Sequence, residues 1–189
     1  MTNIESIMKK IYDYVMDKLY DKIYPKESSI EDNAIFKQSV LLSWTKPKHF
    51  FRTKKEYVFG NFENNVLEYF KLLDMDKSPR KKFIDLNMIF KSIGVLLAFN
   101  GEESEQSVDD AMPILNYTII KAQPLRINSI LKFMELYIGD KRNRYEDSQL
   151  TQFKALCEMI PKLKHTDLID VTLEEFNQKC IEVTKGAKY

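Results

Sequence analysis

Glycine is scarce in this chain of 189 residues: five in all, with six prolines. That is too few for a fold of many tight β-turns or for a glycine-rich phosphate loop. Cysteine and histidine number two each. Cys157 and Cys180 lack the rhythm of a metal site, and free thiols in a reducing compartment are the expectation. His49 and His165 have no cysteine or carboxylate at ligand spacing, so no metal and no cofactor is expected. Lysine and arginine (29) offset aspartate and glutamate (28), which leaves no overall field to gather nucleic acid or membrane. The longest apolar run, Ile93 to Phe99, is far short of the roughly 20 residues of a membrane span. The opening residues do not read as a signal peptide. The expectation is a soluble intracellular protein.

What is present is helix. Ile4, Ile7, Met8, Ile11, Val15, Leu19 and Ile23 recur at helical spacing, with Lys9, Lys10, Lys18 and Lys22 on other faces. This first helix runs from Ile4 to Tyr24, capped by Thr2 or Asn3 and ended by Pro25. A second, starting at Asp32 or Asn33, continues through Leu42, and the pair reads as an antiparallel hairpin. Trp44 to Phe51 is a helix end, a proline and an aromatic cluster. Around it, Lys46, Lys48, Arg52, Lys54 and Lys55 read as a solvated rim over Trp44, Phe50 and Phe51, with a phosphate or anionic-lipid contact as the alternative.

A third helix is expected over Asn61–Leu73. Ser78-Pro79 then opens a fourth that reaches Phe99 and is apolar on nearly every side after Leu86, the pattern of an inner helix. Asn100 to Val108, with Glu102, Glu103 and Glu105, reads as a loop. An apolar helix follows as far as Pro124, then a helix near Asn128–Tyr137, a charged loop Gly139–Asp147, and a helix Ser148–Ile160 ended by Pro161. Thr172-x-x-Glu175 is a capping box that opens a last helix to about Thr184. No strand, repeat or low-complexity tract emerges. The fold class is all-α, an N-terminal helical hairpin or bundle packed on a layered multi-helix domain. The expected division is residues 1–75, 76–160 and a C-terminal helix and tail at 161–189.

The helix before Pro124 opens on adjacent carboxylates, Asp109 and Asp110. A proline deep in a helix forfeits a backbone bond, so Pro113 is expected as the third helical residue. Asp110 is then the N-cap, its carboxylate consumed by backbone N–H groups, and Asp109 is left free in the loop.

The run Val-Asp-Asp-Ala-Met-Pro-Ile-Leu-Asn-Tyr-Thr-Ile-Ile-Lys-Ala-Gln-Pro, residues 108 to 124 with Ser129 after it, resembles the signature of the vacuolar protein sorting 9 domain. Ser78-Pro79-Arg80-x-Lys82 is similar to that family's preceding motif. Leu42-Ser43-Trp44-Thr45-Lys46-Pro47-Lys48-His49 resembles an earlier Leu-x-x-Leu-x-Pro-x-His element, with Thr45 in place of the second leucine. The matches lie in the family's order over about residues 36 to 160.

The resemblance implies a guanine-nucleotide exchange factor for a Rab-five-class GTPase. It implies a cytoplasmic protein brought to early endosomes, touching membrane only through the GTPase or a domain outside this sequence. Catalysis would need no covalent chemistry. Asp109 would be an acidic finger, and Asp110, Pro113, Tyr117, Ser148 and Thr151 would meet the GTPase. His49 matches a structural histidine, a packed capping residue.

One departure stands out. The family places a tyrosine three residues before a threonine. Here, counting forward from Glu146 puts Gln149 at that position, and counting back from Thr151 puts Ser148 there. With the tyrosine absent, the alternative implied is a Rab-binding scaffold that does not exchange nucleotide.

Overall fold

The computed structural model describes residues 3–51, 62–99, 108–138 and 144–186. In order, the helices are α1 (Asn3–Ile23), α2 (Ile30–Leu41), α3 (Phe62–Met75), α4 (Pro79–Phe99), α5 (Val108–Ala122), α6 (Ile127–Ile138), α7 (Arg144–Met159) and α8 (Leu173–Gly186). Short 3-10 turns at Pro47–His49, Ile160–Lys162 and His165–Asp167 link them. No strand occurs among the described residues, so the molecule is all-α as its periodicities predict. No helix among them is long and apolar enough to cross a membrane. Expected residues Arg52, Lys54 and Lys55 of the basic rim, and most of the acidic segment before α5, lie outside the described residues.

The centre is α4, which packs on α3, α5, α6 and α7. Phe83, Leu86, Ile89, Ile93, Leu96 and Leu97 are buried along it. It is inner without being enclosed, because Ile84 and Val95 face solvent. From α5 come Ile114, Leu115, Ile119 and Ile120, and from α6 Ile127, Ile130, Leu131 and Met134. In α4 and α6 these positions fall on one face at a 3.6-residue period, whereas α5 is buried all round from Ile114 to Ile120.

Two buried charges tie the helix ends together. Asp32 is fully buried near the start of α2. Helix α2 begins two residues before the expected Asp32 because Ser29 caps it: Ser29 Oγ accepts from Asp32 N (3.0 Å), and Asp32 Oδ2 accepts from Ser29 N (3.0 Å). The same carboxylate accepts from the backbone N–H groups of Asn128 (2.7 Å) and Ser129 (3.1 Å) and from the Ser129 hydroxyl. One aspartate therefore serves the N-termini of both α2 and α6, where N–H groups are otherwise unpaired. Removing it leaves several buried donors unsatisfied, at about 3 kcal/mol or more.

Lys82 is the second. Its ammonium donates to the carbonyls of Leu73 (2.6 Å) and Asp74 (3.2 Å) in the last turn of α3. It also lies 5.5 Å and 5.6 Å from the ring centres of Tyr20 and Tyr24. Cations are favoured both at a helix C-terminus and over aromatic faces. Ser78, four residues earlier, donates to the Asp13 carboxylate of α1. The Ser78–Lys82 motif thus joins α1, α3 and α4.

Helix α1 docks by its aromatics. Tyr20 and Tyr24 stack on each other and meet Phe133 of α6 edge-on, Met16 is buried beside them, and the Tyr12 hydroxyl donates to the Tyr137 carbonyl. The aliphatic positions that define the helix in the sequence (Ile4, Ile7, Met8, Ile11, Val15 and Leu19) are exposed. The apolar face predicted from spacing is real, but the opposite face makes the tertiary contact.

The segment after α2 behaves as its residues suggest. His49 is buried, its Nδ1 accepts from Lys46 N (3.1 Å), and its ring packs on Trp44. Burial, and Lys48 next to it, hold the imidazole below its ordinary value. Both cysteines are free thiols; Cys157 is buried, which pushes its thiol up.

Candidate functional site

Helix α5 begins at Val108, and Pro113 lies inside it as the sixth residue. This corrects the expected boundary: Asp110 is not an N-cap outside the regular turn, and Asp109 is not in a loop. Both belong to the first turn of α5. The expectation let one forfeited backbone bond set the helix start. Here Ala111 and Met112 pack against the core and Ile114 and Leu115 are fully buried, so tertiary contact carries the helix through the proline. The side chains of Asp109 and Asp110 lie outside what is described. Their placement on the backbone still matters, because successive helical residues point about 100° apart and carboxylates in a first turn meet the positive end of the helix dipole.

One turn on, half-buried Pro113 lines an open cleft of about 1240 Å3, with Asn116, Phe50, Leu163, Leu173 and Phe176 among the other walls. Asn116 is buried, and its Oδ1 has no hydrogen-bond partner among the described residues. Sequence reading missed it, although an asparagine inside the apolar run from Ile114 to Ile120 was a legible signal.

Tyr117, expected to meet the GTPase, is buried, with only 3% of it exposed. Its hydroxyl donates to the Glu63 carboxylate of α3 (3.3 Å), and its ring lies 6.0 Å from that of Phe50. Burial and Glu63 push its phenol well above the ordinary value. Lys121 sits 5.5 Å from the Tyr117 ring centre and donates to the Ser43 carbonyl (2.7 Å). Tyr117 holds α5 against α3 and the segment after α2, and it offers no surface to a partner.

The N-terminal part of α7, a helix that packs on α5, supplies the other expected residues. The helix starts at Arg144, a turn earlier than Ser148, with Glu146 and Asp147 in its first turn, where the dipole favours them. Gln149 is only 2% exposed, and neither end of its amide has a hydrogen-bond partner among the described residues. It occupies the first position of the stripe continued by Phe153, Leu156 and Ile160, which is a core position. Ser148 and Thr151 are exposed. Ser148 Oγ accepts from Gln152 Nε2 (3.0 Å), and Thr151 Oγ1 donates to the Asp147 carbonyl (2.8 Å). Tyr145, 60% exposed, stands one turn before Ser148 on the helix rather than in a loop. Of the two ways to count the missing tyrosine, burial leaves Ser148 as the surface position.

A Vacuolar sorting protein 9 (VPS9) domain model matches residues 64–165, from α3 through the turn after α7. The chain is 26% identical over 145 residues to vacuolar protein sorting-associated protein 9A of Oryza sativa subsp. japonica, covering 74% of this chain and 30% of that protein. It is 26% identical over 183 residues to a Rab5 GDP/GTP exchange factor of Bos taurus, covering 93% of this chain and 37% of that protein, and the Homo sapiens protein of the same name matches over the same shares. The chain thus spans about a third of the length of these curated relatives. With more than half of its residues inside the matched region, and with the helical architecture and motif positions described above, the chain belongs to the VPS9 domain family.

Proposed function

We propose that this chain accelerates GDP release from a Rab-five-class GTPase, with Asp109 as the acidic finger. The observation that carries the reading is the position of Asp109 and Asp110 in the first turn of α5, one turn before the half-buried Pro113 at the cleft edge. Family membership and the names of the Rab5 GDP/GTP exchange factor relatives support it.

The chemistry is electrostatic. A GTPase holds GDP through magnesium and a P-loop lysine, both attracted to the β-phosphate. A carboxylate brought into that site repels the phosphate and gives the lysine another partner. At an effective dielectric near 20, one charge contact at about 4 Å is worth about 4 kcal/mol. That corresponds to about a thousandfold in rate. Asp110, Pro113, Ser148 and Thr151 would frame the contact, while Tyr117 positions α5 from within. Recruitment to early endosomes would follow the GTPase.

The test is release of a fluorescent GDP analogue from a panel of Rab proteins. Wild type accelerates release from at least one, and Asp109→Asn loses most of that acceleration. Equal rates for the two, or no acceleration of any Rab, overturn the finger mechanism. A second reading, a scaffold that binds a Rab without exchange, is favoured by one observation: of the two α7 positions where the family tyrosine could fall, Ser148 is exposed but small and Gln149 is buried, so neither presents an aromatic surface. It expects binding without release, and a gain of release in Ser148→Tyr.

A further inference from the structure

We infer that the solvent face of α1 is a self-association surface, on which a second copy of this chain docks α1 against α1 in antiparallel. This does not depend on the exchange reading. Ile4, Ile7, Met8, Ile11, Tyr14, Val15 and Leu19 fall on one side of the helix at 3.6 residues per turn. Each is substantially exposed, from 39% at Leu19 to 73% at Ile4. The opposite side carries Met16, Tyr20 and Tyr24, which are buried against the rest of the chain. The helix is therefore apolar on two faces, and only one has a partner among the described residues. Scattered single exposed apolar residues are normal; a stripe of seven along about four turns, with Lys18 as the charged residue within it, is not.

Three observations select a second copy. The first is area: seven such side chains at these exposures present on the order of 800 Å2, the per-partner share of a standard protein interface. The second is order along the helix. The stripe reads single, double, single, double, single: Ile4, then Ile7 with Met8, then Ile11, then Tyr14 with Val15, then Leu19. It is nearly palindromic about Ile11. Running two copies in opposite directions sets Ile11 on Ile11 and the Ile7–Met8 pair on the Tyr14–Val15 pair, and brings Ile4 opposite Lys18 with Leu19 one residue further on.

The third is charge. Lys9, Lys10, Lys18 and Lys22 are matched by Glu5, Asp13, Asp17 and Asp21, so α1 has no net charge. An interfacial membrane helix concentrates lysine and arginine on its polar face, which α1 does not. In an antiparallel pair the flank carrying Lys10 and Asp17 meets its own counterpart, bringing each lysine near the other copy's carboxylates. Opposed helix dipoles add to the match.

The test is sedimentation equilibrium of the full chain between 1 and 100 μM (about this range spans ordinary dimer affinities). The expected result is a monomer–dimer equilibrium. Ile11→Glu, which sets two carboxylates against each other at the centre, weakens it about a hundredfold or more. Helix content and thermal midpoint stay near wild type, because Ile11 makes no buried contact. A second measurement fixes direction. In a Cys180→Ser background, Ile11→Cys cross-links to itself on oxidation, and a mixture of Ile4→Cys with Leu19→Cys chains gives the mixed disulfide in preference to either self-pair. A wild-type chain monomeric at 100 μM overturns the proposal. So does Ile4→Cys self-pairing, the mark of a parallel arrangement, and so does a monomer that binds phosphatidylserine vesicles through this face.

Discussion

Asp85 sits one turn after Lys82 on the buried side of α4. Its carboxyl is pushed up to about 7 from an ordinary 3.8, first by burial, then by a hydrogen bond and repulsion from Asp76; Lys82 and Lys81 act against this. One of its oxygens, Oδ2, has no hydrogen-bond partner among the described residues. The consequence for stability has a definite sign. Between pH 3.8 and about 7 the folded chain keeps a proton that the unfolded chain releases, so stability falls as pH rises through that window. Above pH 7 Asp85 is charged in both states and the whole loss is in place. Lys82, lowered to about 8 chiefly by burial, recovers stability only from pH 8 upward. Asp85→Asn keeps the shape and removes the charge. Its unfolding free energy from urea melts is expected to exceed wild type at pH 8 by on the order of 1 kcal/mol after solvent screening, and to converge with it at pH 4. Parallel pH profiles for the two proteins would assign the effect to another group.

At the scale of the element, α7 shows what a sequence does and does not disclose. Its stripe of Leu150, Phe153, Leu156, Cys157 and Ile160 is periodic and was legible, as were α4 from Ser78-Pro79 and α8 from its capping Thr172, whose Oγ1 accepts from Glu175 N (3.1 Å). The first turn of α7 was not, because Arg144 to Asp147 looks like a charged loop until the dipole's preference for early acids is counted. Gln149 was misread for a related reason. A polar residue is taken for a surface residue, and only packing reveals that it stands where an apolar one belongs. The start of α5 failed differently, since a local rule about proline yielded to the burial of Ile114 and Leu115. The face by which α1 docks could not be chosen from periodicity at all, because the helix has two.

Gln149 carries a prediction of its own. Burying both ends of an amide unpaired costs about 1–3 kcal/mol, and leucine fills a similar volume without them. Gln149→Leu is expected to raise the thermal midpoint by roughly 2–12 °C for a chain of this length. Gln149→Tyr overfills the same place and lowers it, which is why Ser148→Tyr is the informative substitution for nucleotide release. A midpoint lowered in Gln149→Leu would mean that the amide is satisfied in solution.

On the scale of the whole molecule, cooperativity is unevenly distributed. Helices α3 to α7 share one buried core, but α8 has no buried residue. It lies on α2 and on the 3-10 turn at His165–Asp167, and its half-buried Phe176 meets Trp44 (6.3 Å between ring centres) and His165 (6.3 Å). Few buried contacts place an element at the low end of local stability. The chain has a single tryptophan, so Trp44 reports on this junction without a competing signal. Truncation after Asp170 removes α8 and uncovers one side of that indole. The expected result is a red-shifted emission, a far-UV helical signal reduced by no more than α8's share, and a still-cooperative melt. Core stability should fall by about 1–3 kcal/mol, the scale of losing Phe176 and its neighbours. In the full chain, Trp44 emission should then shift at lower urea than the helical signal does, reporting α8 undocking ahead of the core. Coincident transitions, or a truncated chain without a cooperative melt, would make α8 part of the same folding unit as α4.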